Sequence, residues 1–216
     1  MDVIVGHFDL FVSGYWVSLE ICAWATIGSL LLGTAVAMLR ISPLPPARVA
    51  ASAYVTALMN TPLTVVLFFI AFGFPEIGIN SSYFVFGVSA LVLYTSAFVC
   101  ESIRSGVNSV SPGQAEAARA LGLSTLQTLR QLVIPQAFRG TIPPLSNTLL
   151  AMFTNSALVG AFGVGGDLFS ISNNLTGAQG FDNLPVISGV AVGYLAITLP
   201  AAYLLHRLER KVAIVR

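Results

Sequence analysis

The sequence predicts an all-α polytopic membrane protein. It has five transmembrane helices and two short helices inserted between the third and the fourth. Three observations predict it. Hydrophobic types make up 56% of the 216 residues and charged types only 9%, against roughly 25% charge in a soluble domain. Five long stretches are free, or nearly free, of charge. All ten Lys and Arg fall on one side of those stretches. The nineteen charged side chains are too few to cover a soluble surface, and a mean hydropathy of +0.84 agrees.

The spans follow in order. The first, residues 14–39, lies in Leu10 to Leu39, where Glu20 is the only charge. The second, 50–73, lies in the charge-free run Val49 to Pro75. The third, 83–104, begins within the charge-free run Ile77 to Cys100 and takes in Glu101 and Arg104 at its inner end. The fourth, 141–163, lies in Gly140 to Gly166, and the fifth, 186–207, in Asn183 to His206. About 20 apolar residues cross the hydrocarbon as a helix, and lipid forces backbone amides to pair internally. Barrel strands are about half this length. The whole chain, 1–216, reads as one transmembrane domain, with 105–139 as an inserted segment.

Orientation comes from the basic residues. Arg40 and Arg48 sit in the first connection, and Arg104, Arg119, Arg130 and Arg139 in or beside the third. Arg207, Arg210, Lys211 and Arg216 sit in the tail. Basic loops stay in the cytoplasm, so the N-terminus is expected outside and the C-terminus inside. Asp2, Asp9, Glu76, Asp167 and Asp182 then fall outside. No basic region precedes the first apolar run, so no cleaved leader is expected. Cys22 and Cys100 read as small apolar fillers without metal-ligand spacing. Ala25, Ser29, Gly33 and Ala37, and again Gly189 and Gly193, recur at intervals of four. Such stripes let helices pack closely in lipid. A net charge of +1 gives no reason to expect nucleic acid as a partner; lipid surrounds the spans.

The inserted segment, 105–139, is not loop-like. Ser111-Pro112-Gly113-Gln114 reads as a capped helix start with a capping box. The helix runs to Leu121, and Gly122 supplies a left-handed stop. Ser124 and Gln127 repeat the box. The second helix carries Leu126, Leu129, Leu132 and Val133 on one face, and Pro135 ends or kinks it. A rigid elbow between two spans can pass force from a partner. Ala115, Ala117 and Ala118 are small enough for a groove to close around them.

At these residues the chain resembles a family. Glu116-Ala117-Ala118, Gly122, Leu132, Ile134 and Pro135 are similar to the "EAA" signature of permease subunits of ATP-binding-cassette (ABC) importers. The surroundings resemble the polar amino acid branch, which takes in histidine, glutamine and glutamate permeases. They include Glu101 to Gly106, Asn60-Thr61-Pro62-Leu63 with Leu67-Phe68-Phe69, and Pro135 to Arg139. Tyr94 to Phe98 and Gly113 to Gly122 look most like glutamate-uptake members. Met59 stands where many members have arginine, and Thr154 to Leu158 where many have K-D-T-S-L.

The resemblance implies a type I ABC importer permease fold in the bacterial inner membrane, with 105–139 as a coupling segment. Glu116, Ala117, Ala118, Gly122 and Pro135 would couple it to two copies of a separate ATPase, which holds ATP and Mg. A second permease subunit, as homodimer or heterodimer, and an extracytoplasmic amino-acid-binding protein complete the implied assembly. Methionine and osmolyte permeases share the signature, and an ion-coupled secondary carrier is the rival outside the family.

No G-x-x-x-x-G-K-[ST] loop is present, since Lys211 is the only lysine. No H-E-x-x-H and no Cys/His cluster is present either, with His7 and His206 far apart, so no cofactor, metal or catalytic role is expected on this chain. The substrate pathway has candidates in Asn60, Thr61 and Pro62, in Asn147, Asn155 and Ser156, and in Glu20. Each has a plainer reading. Pro62 kinks a helix whose freed carbonyls Asn60 and Thr61 satisfy, and Glu20 lies at the outer interface, about 30 Å of helix from Arg40. Glu101 and Arg104 read as an ion pair or a proton relay. Residues 168–184 read as a short outward helix and loop, either merely solvated or receiving the binding protein.

Overall fold

The structure is a computed structural model and describes residues 2–162 and 166–212. Gly163 to Gly165, where the fourth span is expected to end, and Arg216 lie outside the described residues. A short α1 (Asp2–Gly6) precedes α2 (Phe8–Arg40). At 33 residues, α2 is longer than the first span it contains. It ends where Pro43, Pro45 and Pro46 follow, and α3 (Pro45–Met59) begins on a proline at its first position, where a missing N–H is harmless.

The segment expected as the second span is broken rather than kinked. Here α3 stops at Met59, and α4 (Leu63–Phe68) departs from it at 105°. A π-helical turn at Phe69–Gly73 and α5 (Phe74–Glu76) complete the second arm. Pro62 lacks an N–H and disfavours helical backbone in the residue before it. The freed carbonyls are met locally. Thr61 Oγ1 donates to Ala57 O at 2.8 Å, and Leu58 O accepts from the Thr61 amide at 3.3 Å, while Asn60 Nδ2 adds a second bond to Thr56 O at 2.8 Å.

The third expected span appears as α6 (Tyr83–Asn108), capped by Ser82, which accepts from Val85 N. After the elbow, described below, come α9 (Ile134–Ala161), α10 (Leu168–Asn173) and α11 (Asn183–Val212). A π-helical turn, Asn174–Ala178, follows α10, so 168–184 holds a short helix as expected. Of the described helices α2, α6 and α11 are long and apolar enough to cross a membrane, and the bent pair makes a fourth if taken as one span. At 28 residues, α9 has the length. Its Pro143, Pro144, Asn147, Asn155 and Ser156 lower its apolar content.

The centre of the fold is α6, whose Ala90, Leu91, Ala97, Val99 and Cys100 are wholly buried. The small-residue stripe of α2 packs on it. A Cβ at Gly33 would lie 2.7 Å from the carbonyl oxygen of Ser96, so glycine lets the two backbones approach. Tyr54 pins α3 to α6 beside it, donating to Leu93 O at 2.9 Å. A second core joins α2, α10 and α11 through Phe11, Leu168, Leu175 and Val186.

Asp167, expected among the outer charges, is not solvated: it is fully buried, and it caps α10. Its carboxylate accepts from Tyr194 Oη and Ser170 Oγ at 2.7 Å, and from the Phe169 and Ser170 amides at 3.3 Å. Four donors replace the water that a buried charge loses. Gly160 makes room, because a Cβ there would strike the carboxylate.

Candidate coupling site and translocation path

The elbow is α7 (Pro112–Ala120), Gly122, α8 (Thr125–Thr128) and a π-helical turn at Leu129–Val133 that runs into α9. Gly122 has φ +84°. Its N–H donates to Arg119 O at 2.9 Å, and that of Leu123 to Ala118 O at 3.1 Å. Those two bonds are the Schellman pair that closes a helix on a left-handed residue. Ser124 and Gln127 then form the second capping box, Ser124 Oγ accepting from Gln127 N and Gln127 Oε1 from Ser124 N.

Two local expectations are corrected. Ser111 caps α7 only with its extended backbone, because the Gln114 amide is already bonded to Ser111 O at 3.1 Å. The second elbow helix does not end at Pro135. It passes through the π-helical turn, and Pro135 lies in the first turn of α9. A π turn shifts the hydrogen-bond register by one residue, which accommodates a proline that offers no N–H. Of the expected apolar face, Leu126 and Leu129 are exposed, and Leu132 and Val133 are half-buried.

What the elbow shows to its surroundings is specific. Glu116 and Ala117 are exposed on α7, Ala118 is buried, and Gly122 and Pro135 are exposed. Leu121 is 82% exposed and Leu126 64%. The stems below are held close. A Cβ at Gly106 of α6 would lie 2.6 Å from Ala137 O, and one at Gly140 of α9 would lie 3.1 Å from Gly106 O. The elbow is therefore a stiff, partly apolar projection with one carboxylate, on two tightly crossed stems.

The candidate path residues are not brought into one site. Asn60 and Pro62 are exposed and Thr61 half-buried at the α3–α4 break, where the first and third bond back into α3. Asn155 lines a small cleft of about 110 Å³ between α6 and α9, with Tyr94, Thr95, Phe98 and Thr148. Asn147 is exposed one helical face away. Ser156 is buried instead, donating to Phe153 O at 2.7 Å and accepting from Cys22 Sγ at 3.4 Å. It faces α2, so it serves packing. Glu20 is exposed between Trp16 and Trp24, each one turn away and itself exposed. Aromatic residues of this kind mark membrane interfaces.

Two arrangements were not legible from spacing. Glu101 pairs with Arg104, as expected, and also accepts from Arg40 Nη1 at 2.7 Å, tying α2 to α6. The Asp167 cluster joins residues far apart in the chain. The only available signal for the first was that Arg40 and Glu101 both fall at inner span ends.

Residues 29–214 match the family described as binding-protein-dependent transport system inner membrane component. The chain belongs to this family. This permease is 38% identical over 213 residues to the glutamate transport system permease protein GluC of Corynebacterium efficiens, covering 93% of this chain and 92% of that one. It is 35% identical over 211 residues to the probable glutamine ABC transporter permease protein GlnM of Bacillus subtilis, covering 98% and 97%. A crystal structure of an amino acid ABC transporter with histidines superposes with a TM-score of 0.89 at 33% identity, over 97% of each chain. The inward-facing methionine ABC transporter MetNI shares the fold, with a TM-score of 0.75 at 22% identity over 96% and 98%. The permease is thus a multi-pass membrane subunit of the ABC importer family, whose partners are an ATPase and a binding protein.

Proposed function

We propose that the permease forms the translocation pathway of an ATP-driven importer of a polar amino acid, glutamate or glutamine, in the bacterial inner membrane. The observation that carries this reading is the elbow: Glu116 and Leu121 exposed on a short helix closed by the Gly122 Schellman pair. The relatives named for glutamate and glutamine transport support the substrate class. The likeness to the methionine transporter supports the fold alone.

In this reading the chain is a single domain with five spans, the bent pair being the second and α9 the fourth. Its N-terminus lies outside and its C-terminus in the cytoplasm, because the basic residues gather on one side. Two permease subunits, alike or different, enclose the path. Two ATPase subunits grip the elbows at Glu116, Ala117, Ala118, Gly122 and Pro135. The ATPases bind ATP and Mg, and this chain hydrolyses nothing. When they close, the stems transmit the movement to α6 and α9, and the path alternates between its two openings. Asn60, Thr61, Asn147 and Asn155 supply polar groups along it, with Pro62 holding open the break that carries the first two, and the binding protein delivers substrate to the outer end near α10.

The experiment is uptake of labelled glutamate and glutamine into proteoliposomes holding permease, cognate ATPase and binding protein. ATP-dependent uptake that stops when the ATPase is omitted supports the reading. Uptake driven by an ion gradient without ATP would replace it with a secondary carrier.

A further inference from the structure

A cleft of about 410 Å³ opens between the inner ends of α2 and α6 and the start of α3. Arg40, Arg48 and Arg104 stand on its rim, and Met38, Ile103 and Val107 form its walls. Glu101 is the carboxylate bonded there, accepting from Arg40 Nη1 at 2.7 Å and from Arg104 Nε at 2.8 Å. Arg48 is exposed and makes no ion pair among the described residues. Three guanidiniums facing one carboxylate leave the rim with a surplus of positive charge. Met38 and Val107 are themselves exposed, at the level where the apolar spans end.

A cationic rim over apolar walls at the membrane boundary fits one kind of molecule: an anionic head joined to a hydrocarbon tail. Guanidinium forks match phosphate oxygens two at a time, and basic pockets between spans hold acidic lipid head groups. A free phosphate would leave the walls uncovered. A zwitterionic lipid would bring its own cation to a rim already positive.

We propose that this cleft binds one acidic phospholipid of the phosphatidylglycerol or cardiolipin type. Its phosphate sits between Arg48 and Arg104, and an acyl chain lies along Met38 and Val107. Asn108, the last residue of α6, also lines the cleft. The lipid therefore bridges the α2–α3 connection to the stem of the elbow and stiffens that stem. Only the side of the membrane on which the site lies rests on the importer reading.

The test is native mass spectrometry of the purified permease–ATPase complex titrated with phosphatidylglycerol and, separately, phosphatidylcholine. One phosphatidylglycerol per permease should be retained, and phosphatidylcholine should be lost. R48Q leaves the Glu101 pairs intact and should weaken retention about fivefold, the effect of one basic group near an acidic head. M38Q should weaken it through the wall, and R207Q on α11 should not. Inorganic phosphate competing as well as lipid would mark a free-anion site and overturn the proposal, as would equal retention of both lipids or an unchanged R48Q. Uptake measured on the same preparations separates the readings. Lipid retention without ATP-dependent uptake sinks the importer alone, and uptake with no retained lipid sinks the lipid site alone.

Discussion

Gly122 is the most direct place to perturb coupling without touching the spans. At φ +84° it occupies the left-handed region, and a Cβ built there meets nothing within 4 Å. A substitution therefore costs conformational energy and no clash. For an ordinary L-residue the cost is about 1–2 kcal/mol, a factor of about 5 to 30 in population. A β-branched side chain pays at least the upper figure, whereas Asn visits this region more readily. At nine residues, α7 is too short to persist on propensity alone, so losing the Schellman pair should cost most of that population. Apparent affinity for a partner that needs the formed elbow falls in the same ratio. The expected order is Gly122, then G122N close to it, G122A about fivefold weaker, and G122V about 30-fold weaker. Binding of the ATPase to reconstituted permease, with uptake and ATP hydrolysis on the same vesicles, measures it. Membrane insertion should stay normal throughout. If G122V binds and transports like the parent, or if G122N is as harmful as G122V, the conformational argument is wrong.

Other outcomes follow from named contacts. Glu116 is exposed and makes no ion pair among the described residues, so E116A should leave thermal stability of the isolated permease unchanged while cutting uptake. D167A removes the acceptor of four hydrogen bonds, that of Tyr194 Oη among them. Hydrogen bonds to charged groups contribute about 1.5–3 kcal/mol, so the midpoint of thermal unfolding should fall markedly, and D167N should restore part of it. G106L would drive a side chain into Ala137 and Thr141. Cross-linking between the α6 and α9 stems should then drop even though each helix stays intact. Cysteines at 114 and 174, both exposed, should label from opposite faces of the membrane, and labelling from one face would end the five-span topology.

The elbow was legible because its signals are local. A Schellman stop and a capping box need only a glycine, a serine and a glutamine at fixed offsets, and these positions form as read at Gly122 and at Ser124–Gln127. At Ser111 the same offsets were present, yet a backbone carbonyl took the amide first. The helical class was equally local: long uncharged runs have no other way to satisfy their amides in lipid.

What the sequence determined by itself was thus the membrane class, the helices, the elbow and the grouping of basic residues. Tertiary structure decided the size of local bends and whatever depended on two distant segments meeting. It opened the break at Pro62 to 105°, where spacing alone allowed a mere kink. It carried α8 through a π-helical turn into α9. It made Asp167 a buried cap beside Gly160 and Tyr194, and set Arg40 against Glu101. The physical reason is range. Capping and hydropathy act over a few residues along the chain, whereas burial of a carboxylate is tolerable only where donors from other helices converge on it, and one sequence read in order does not say which will.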